Sequence, residues 1–212
     1  MAVALADGLE RRREPADRTK AIPYAKLDRL WRRDDVAVRE KALWRLLYET
    51  AARASEVLSL NVEDLDLENK RARVRSKGGD IESLHLQTGA ARLSPRLIAG
   101  RQRGPLFLAD RRPAPARMPA AADVCSYTGR ARLSYRRAEE LFHAASEGWT
   151  LHQLRHSALT HLAEENVGLA LLMAKSRHVS LQRYARPGPE AVAVADRRPR
   201  PRAPPARGAV AT

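Results

Sequence analysis

Between residues 70 and 86 the side chains alternate in a way that only a strand can use. From Lys70 to Arg75, Ala72 and Val74 alternate with Arg71, Arg73 and Arg75, the period-two pattern of a strand with one buried face. Lys77-Gly78-Gly79-Asp80 is a turn signal. Ile81 to Leu86 supplies the return strand, with Ile81, Ser83 and His85 set against Glu82, Leu84 and Leu86. The result is a β-hairpin with Lys77 at its tip. The flanking sequence is patterned for helices, so the expected fold is α+β: mostly α-helical, with a small antiparallel sheet.

The helical periodicity runs through most of the remaining chain. Tyr24–Arg33 places Leu27, Leu30 and Trp31 at helical spacing, and Asp34-Asp35 are expected to cap the next helix. Val36–Thr50 then puts Val38, Ala42, Leu43, Leu46 and Leu47 on one face. Ala51–Leu60 reads as a further helical segment carrying Arg53 and Glu56 at i, i+3, and residues 61–67 read as a turn. Ser94 is expected to cap a short helix that begins at Pro95 and ends near Gly100. Residues 101–130 contain Pro105, Pro113, Pro115 and Pro119 and read as a loop around the apolar piece PLFLA. Leu133–Ser146 is expected to be a helix with Tyr135, Ala138, Leu141 and Phe142 inward. Thr150 is a plausible N-cap for the helix carrying His152 and Arg155. Gly168 breaks that run and Leu169–Ser176 resumes it. Past Arg186, prolines and arginines interleave, the composition of a disordered basic tail.

Charge narrows the partner. Lys+Arg number 39 against 25 Asp+Glu, a net charge of +14 on 212 residues. Such an excess favours a polyanion, nucleic acid before a membrane surface, because binding releases phosphate counterions. Aromatics are only 5%, and single-strand binders lean on aromatic stacking, so double-stranded DNA is the better match. The single cysteine, Cys125, excludes a disulfide within the chain and a zinc site built on several cysteines. No HExxH spacing supports a metal, and no cofactor is expected. No apolar run approaches the roughly 20 residues of a membrane span, and the N-terminus lacks a signal-peptide pattern. A cytoplasmic protein is expected.

The chemistry concentrates in Thr150–Arg186, which holds His152, Arg155, His156, His161, His178, Arg183, Tyr184 and Arg186. His152 and Arg155, at i, i+3, share one face of a helix. A lone tyrosine follows among arginines. The group suits an oxyanion with a nucleophile aimed at it, phosphate being the obvious oxyanion. A basic, solvated helix pair with one surface tyrosine is the alternative.

Taken in order, Arg53 with Glu56 (ARASEVLSL), Lys77 in RSKGGD, His152-x-x-Arg155 in LHQLRHSALTHLAEE, His178 and then Tyr184 resemble the catalytic domain of the tyrosine recombinases, the phage-integrase family. The resemblance covers roughly residues 24–186. It implies that Tyr184 attacks a DNA phosphate to give a 3′-phosphotyrosyl link and a free 5′-hydroxyl, without ATP or metal. It implies that Arg53 and Arg155 hold the non-bridging oxygens, that Lys77 protonates the leaving oxygen and that His152 assists proton transfer at the nucleophile. His178 would donate to the phosphate, and Glu56 would orient the pocket. The implied partners are duplex DNA and further subunits, as a tetramer or with a second recombinase.

Two departures stand out. His178 and Tyr184 are six residues apart, and the family usually separates them by close to one more helical turn of about 3.6 residues. Residues 1–22 read as a linker or the remnant of an N-terminal region. The family's DNA-clamping domain would then be absent or supplied by another chain, leaving 23–186 as the catalytic domain and 187–212 as the tail. A truncated, catalytically impaired DNA-binding remnant fits these departures. A non-catalytic DNA-binding regulator explains the charge and the helices, but not the hairpin lysine or the intervals between the two arginines.

Overall fold

The computed structural model describes residues 21–75, 79–165 and 167–176, which form two units dividing between His161 and Leu162. The first unit holds helices α1 (Tyr24–Arg32), α2 (Val38–Thr50) and α3 (Ala54–Ser59), then strands β1 (Leu65–Asp66), β2 (Arg71–Arg75) and β3 (Ile81–His85). Helices α4 (Thr88–Ile98), α5 (Tyr135–Ala145) and most of α6 (Leu151–Glu164) follow. The second unit holds the end of α6 and α7 (Leu169–Ser176). The fold is the mostly helical α+β arrangement with a small antiparallel sheet that the patterning predicts. No helix among the described residues is long and apolar enough to cross a membrane.

The hairpin forms in the expected register, with Arg71 opposite His85, Arg73 opposite Ser83 and Arg75 opposite Ile81. Ala72, Val74 and Leu84 are buried, and the arginines between them are exposed. A third strand was not expected. Leu65 and Asp66 pair with Ala72 and Arg71, giving the order β1-β2-β3 where the sequence reads as a turn. Two residues carry too little alternation to register as a strand.

The core is built around α2, whose Ala42, Leu43, Trp44, Leu46 and Leu47 are all buried. Trp44 meets Phe142 of α5 at a ring-centroid distance of 5.1 Å. Leu27 and Leu30 of α1 and Leu151 and Leu154 of α6 complete it. The predicted inward face of α5 is correct at Ala138 and Phe142, whereas Tyr135 is exposed. Tyr135 lies in the first turn, just past the cap where Ser134 Oγ accepts from the Arg137 amide.

Three helix starts differ from expectation. Asp34-Asp35 do not cap α2, which begins at Val38 with no side-chain cap. Asp35 is paired with Arg33 instead, Nε to Oδ1 at 2.9 Å, and that hydrogen bond holds its carboxyl below the ordinary value. Helix α3 starts at Ala54, not Ala51, so Arg53 is its N-cap. Helix α4 starts at Thr88 and carries Pro95 inside it, and Ser94 Oγ donates to the Ala90 carbonyl instead of capping. Its start is set from α2, where the buried Glu49 accepts the Ala90 amide at 3.0 Å. Arg45 also reaches Glu49 at 3.6 Å.

That approach has no room for a side chain at residue 89. A Cβ on Gly89 would lie 2.2 Å from Glu49 Oε1. Gly89→Ala is therefore expected to displace a buried carboxylate from the start of α4 and to cost about 1–3 kcal/mol. The urea midpoint measures it; an unchanged midpoint would show that Glu49 moves aside freely.

Residues 101–130 lack long elements, as predicted, yet arginines pin them. Arg101, buried, donates to the carbonyls of Leu97, Ile98, Pro105 and Leu106. Leu106 and Phe107 of the PLFLA piece enter the core.

Candidate active site

The site begins in the three residues between α2 and α3. Ala51 turns the chain with a left-handed backbone, φ 50°, and both Ala51 and Ala52 are buried. Arg53 follows as the N-cap of α3. The N-terminus of a helix leaves amides without partners, and here Glu56 answers. Its Oε2 accepts the Arg53 amide at 2.9 Å, and its Oε1 accepts Arg53 Nη1 at 2.8 Å. One buried carboxylate thus sets the start of the helix and the direction of the guanidinium. The Arg53 side chain remains 38% exposed. It is partly reachable by a ligand, with a negative charge beneath it.

Arg155 approaches the same turn from α6. It is only 3% exposed, and its Nη1 donates to the Ala51 carbonyl. The Arg155 head therefore sits two residues along the chain from Arg53. Helix α6 is held to aim it there. The Gln153 amide donates to Thr150 Oγ1 at 3.3 Å, the cap the sequence suggests at Thr150, and the Thr150 amide donates to Gln153 Oε1 at 2.8 Å, which makes the cap reciprocal. Glu139 of α5 accepts the Leu151 amide at 3.1 Å, and Ser157 accepts the Ile22 amide at 2.8 Å. His152 lies three residues before Arg155 and is exposed.

The structure thus brings Arg155 to the turn that carries Arg53 and Glu56, with His152 on the adjoining turn of α6. Lys77, His178 and Tyr184 lie outside the described residues. Among the described residues, no group of three or more His, Cys, Asp or Glu could hold a metal.

One residue that supports the site escaped the sequence reading. Arg132 Nη1 donates to the carbonyls of Leu58, Ser59 and Leu60 at the end of α3, at 2.9–3.1 Å. Its Nη2 donates to Asn61 Oδ1 and its Nε to Asp123 Oδ1, each at 2.7 Å. A six-residue helix is too short to hold itself. Glu56 fixes one end and Arg132 the other. No spacing in the sequence marks Arg132, because the α3 carbonyls it holds are more than 70 residues away.

The model of the phage integrase family matches residues 23–187. The tyrosine recombinase XerC of Mycobacterium tuberculosis (strain ATCC 25177 / H37Ra) is 33% identical over 155 residues, covering 70% of this chain and 48% of the relative. XerD of Bifidobacterium longum (strain NCC 2705) is 31% identical over 171 residues, covering 74% of this chain and 52% of the relative. The chain spans about half the length of the curated relatives it matches. Among solved structures, XerA recombinase superposes with a TM-score of 0.65 at 18% identity, over 89% of this chain and 67% of that one. XerH recombinase bound to its difH substrate, a pre-cleavage complex, gives a TM-score of 0.58 at 21% identity, over 83% of this chain and 53% of that one.

Proposed function

Since the chain belongs to the phage integrase family, we propose that it is the catalytic part of a tyrosine-type site-specific DNA recombinase that cuts and rejoins duplex DNA. The observation that carries this reading is the Arg155 bond to Ala51, which sets two guanidinium-bearing residues around one tight turn.

In this mechanism the Tyr184 hydroxyl attacks phosphorus in line. The new Tyr184 O–P bond forms as the P–O5′ bond breaks. His152 takes the tyrosine proton, and Lys77 gives a proton to the departing 5′-oxygen. The 3′-phosphotyrosyl link keeps the energy of the original diester, so a 5′-hydroxyl from another strand reverses the step without an added energy source. Negative charge grows on the non-bridging oxygens during attack. Arg53 and Arg155 meet it with planar donors that are oriented beforehand. Glu56 keeps the Arg53 guanidinium directed, and His178 adds a donor to the phosphate. Recombination of two duplexes needs several such subunits, so the working form is an oligomer on DNA, alone or with a partner recombinase.

A second reading, a DNA-binding remnant without strand transfer, is favoured by the short interval of six positions from His178 to Tyr184. Trapping on nicked duplexes separates the two. The active enzyme forms a covalent protein–DNA band on a denaturing gel, and Tyr184→Phe removes it. A band that persists in Tyr184→Phe would overturn the nucleophile assignment. DNA binding without any band, across a pool of candidate sites, would select the remnant.

A further inference from the structure

The exposed face of the β-sheet carries positive charge that the protein itself leaves unbalanced. Arg71, Arg73 and Arg75 all project from one face of β2, and their cross-strand partners on β3 are His85, Ser83 and Ile81. Residues two apart on an antiparallel strand are about 6.8 Å apart, so the three arginines span roughly 13.6 Å. Like charges at this spacing repel, and none of the ion pairs among the described residues includes any of the three. Their protein partners are backbone oxygens: Arg73 Nη2 donates to the Glu63 carbonyl at 3.2 Å, and Arg75 Nη1 to the Gly79 carbonyl at 3.5 Å.

One carboxylate shares this face among the described strand residues. Asp66 stands opposite Arg71. It is turned to Asn69, accepting the amide at 3.0 Å and Nδ2 at 2.8 Å. Those bonds, helped by the charges of Arg71 and Arg73, keep it ionised. Glu82 is the cross-strand partner of Val74 and so belongs to the other face.

We propose that this sheet face is a second DNA contact, in which Arg71, Arg73 and Arg75 track the phosphates of one strand of a duplex. It rests on the reading of the chain as acting on duplex DNA. Neighbouring phosphates on one duplex strand are about 7 Å apart in space, close to the step between these arginines, so the ladder meets roughly three phosphates. The spacing, the excess of three arginines over the one carboxylate on this face and the exposure of all three side chains fit one linear polyanion. Backbone contacts of this kind carry no base specificity.

The test is the salt dependence of binding to a duplex of random sequence, read by fluorescence anisotropy. The triple variant Arg71→Gln/Arg73→Gln/Arg75→Gln is compared with wild type and with Arg92→Gln/Arg96→Gln/Arg117→Gln, which removes equal charge from exposed positions elsewhere. The sheet variant is expected to flatten the slope of log K against log salt by about 2–3, near 0.9 for each lost phosphate contact. It is expected to weaken binding at least tenfold near 0.1 M salt while melting no lower than wild type. The control variant should lose less than half as much slope. Equal losses in the two variants would overturn the proposal. So would a loss seen on anionic phospholipid vesicles and not on duplex DNA. The readout needs no strand cleavage. A chain that never forms a covalent adduct can still show the sheet effect, and an active recombinase can lack it, so the two conclusions fall separately.

Discussion

Arg155→Ala is expected to lose DNA cleavage by at least 10²–10³-fold, the range for removing one donor from a transition-state anion site, and to unfold about 2–3 kcal/mol sooner. The two effects have different origins. Cleavage falls because a guanidinium that answers growing charge is gone. Stability falls because Arg155 is only 3% exposed and donates to the Ala51 carbonyl. Alanine leaves that buried oxygen without this donor and leaves a void around it. Arg53→Ala is the contrasting case. Its side chain is 38% exposed and its ion pair is made near the surface, so cleavage should fall as far while stability changes by less than about 1 kcal/mol. DNA affinity should drop only modestly in both, because in the proposed mechanism each arginine would act mainly in the transition state. Single-turnover cleavage alongside urea melts measures the pair. If Arg155→Ala cleaved at the wild-type rate, the active-site assignment would be lost; if it melted like wild type, the Ala51 bond would contribute nothing.

Trp44→Ala carries the largest stability effect, about 3–5 kcal/mol. The indole is fully buried and meets Phe142 at 5.1 Å, joining α2 to α5. In a domain of this size each kcal/mol lowers the melting temperature by about 2–4 °C, so a fall of roughly 10 °C is expected. Trp44→Phe should behave very differently. Trp44 Nε1 is buried without a hydrogen-bond partner among the described residues. Phenylalanine removes that unanswered donor along with the second ring, and the two changes partly cancel. Calorimetry on both variants decides it. A phenylalanine variant as damaged as the alanine one would mean that ring volume, not the orphaned N–H, sets the cost.

The sequence made the hairpin and the α6 cap legible because both are local. Ala72 and Val74 announce a strand face by alternation, and Thr150 with Gln153 closes a cap within three residues. Arg53 and Glu56 were visible as a pair for the same reason. Their true relation, N-cap and third residue of a helix, needed the left-handed turn at Ala51, and alanine gives no hint of positive φ. What stayed hidden is tertiary. Glu49 starts α4 from 41 residues away, which is why Pro95 looked like a beginning and is an interior residue. Asp35 looked like a cap because capping chemistry and ion pairing use the same carboxylate, and Arg33 was nearer. Arg132 grips carbonyl oxygens, which every residue has, so no residue type marks its targets.

The Arg155 bond also sets a clock on the newborn chain. Its two ends are separated by 104 residues, which a ribosome adding roughly 5–20 residues per second needs about 5–20 s to produce. For that interval the Ala51 turn and its arginine exist without the helix that completes them. Closing so long a loop comes late in folding as well as in synthesis. A half-made chain has only one of the two guanidinium groups that the proposed site needs. In the proposed mechanism the pair of guanidinium groups is therefore complete only once residue 155 has been made and α6 has closed onto the Ala51 turn.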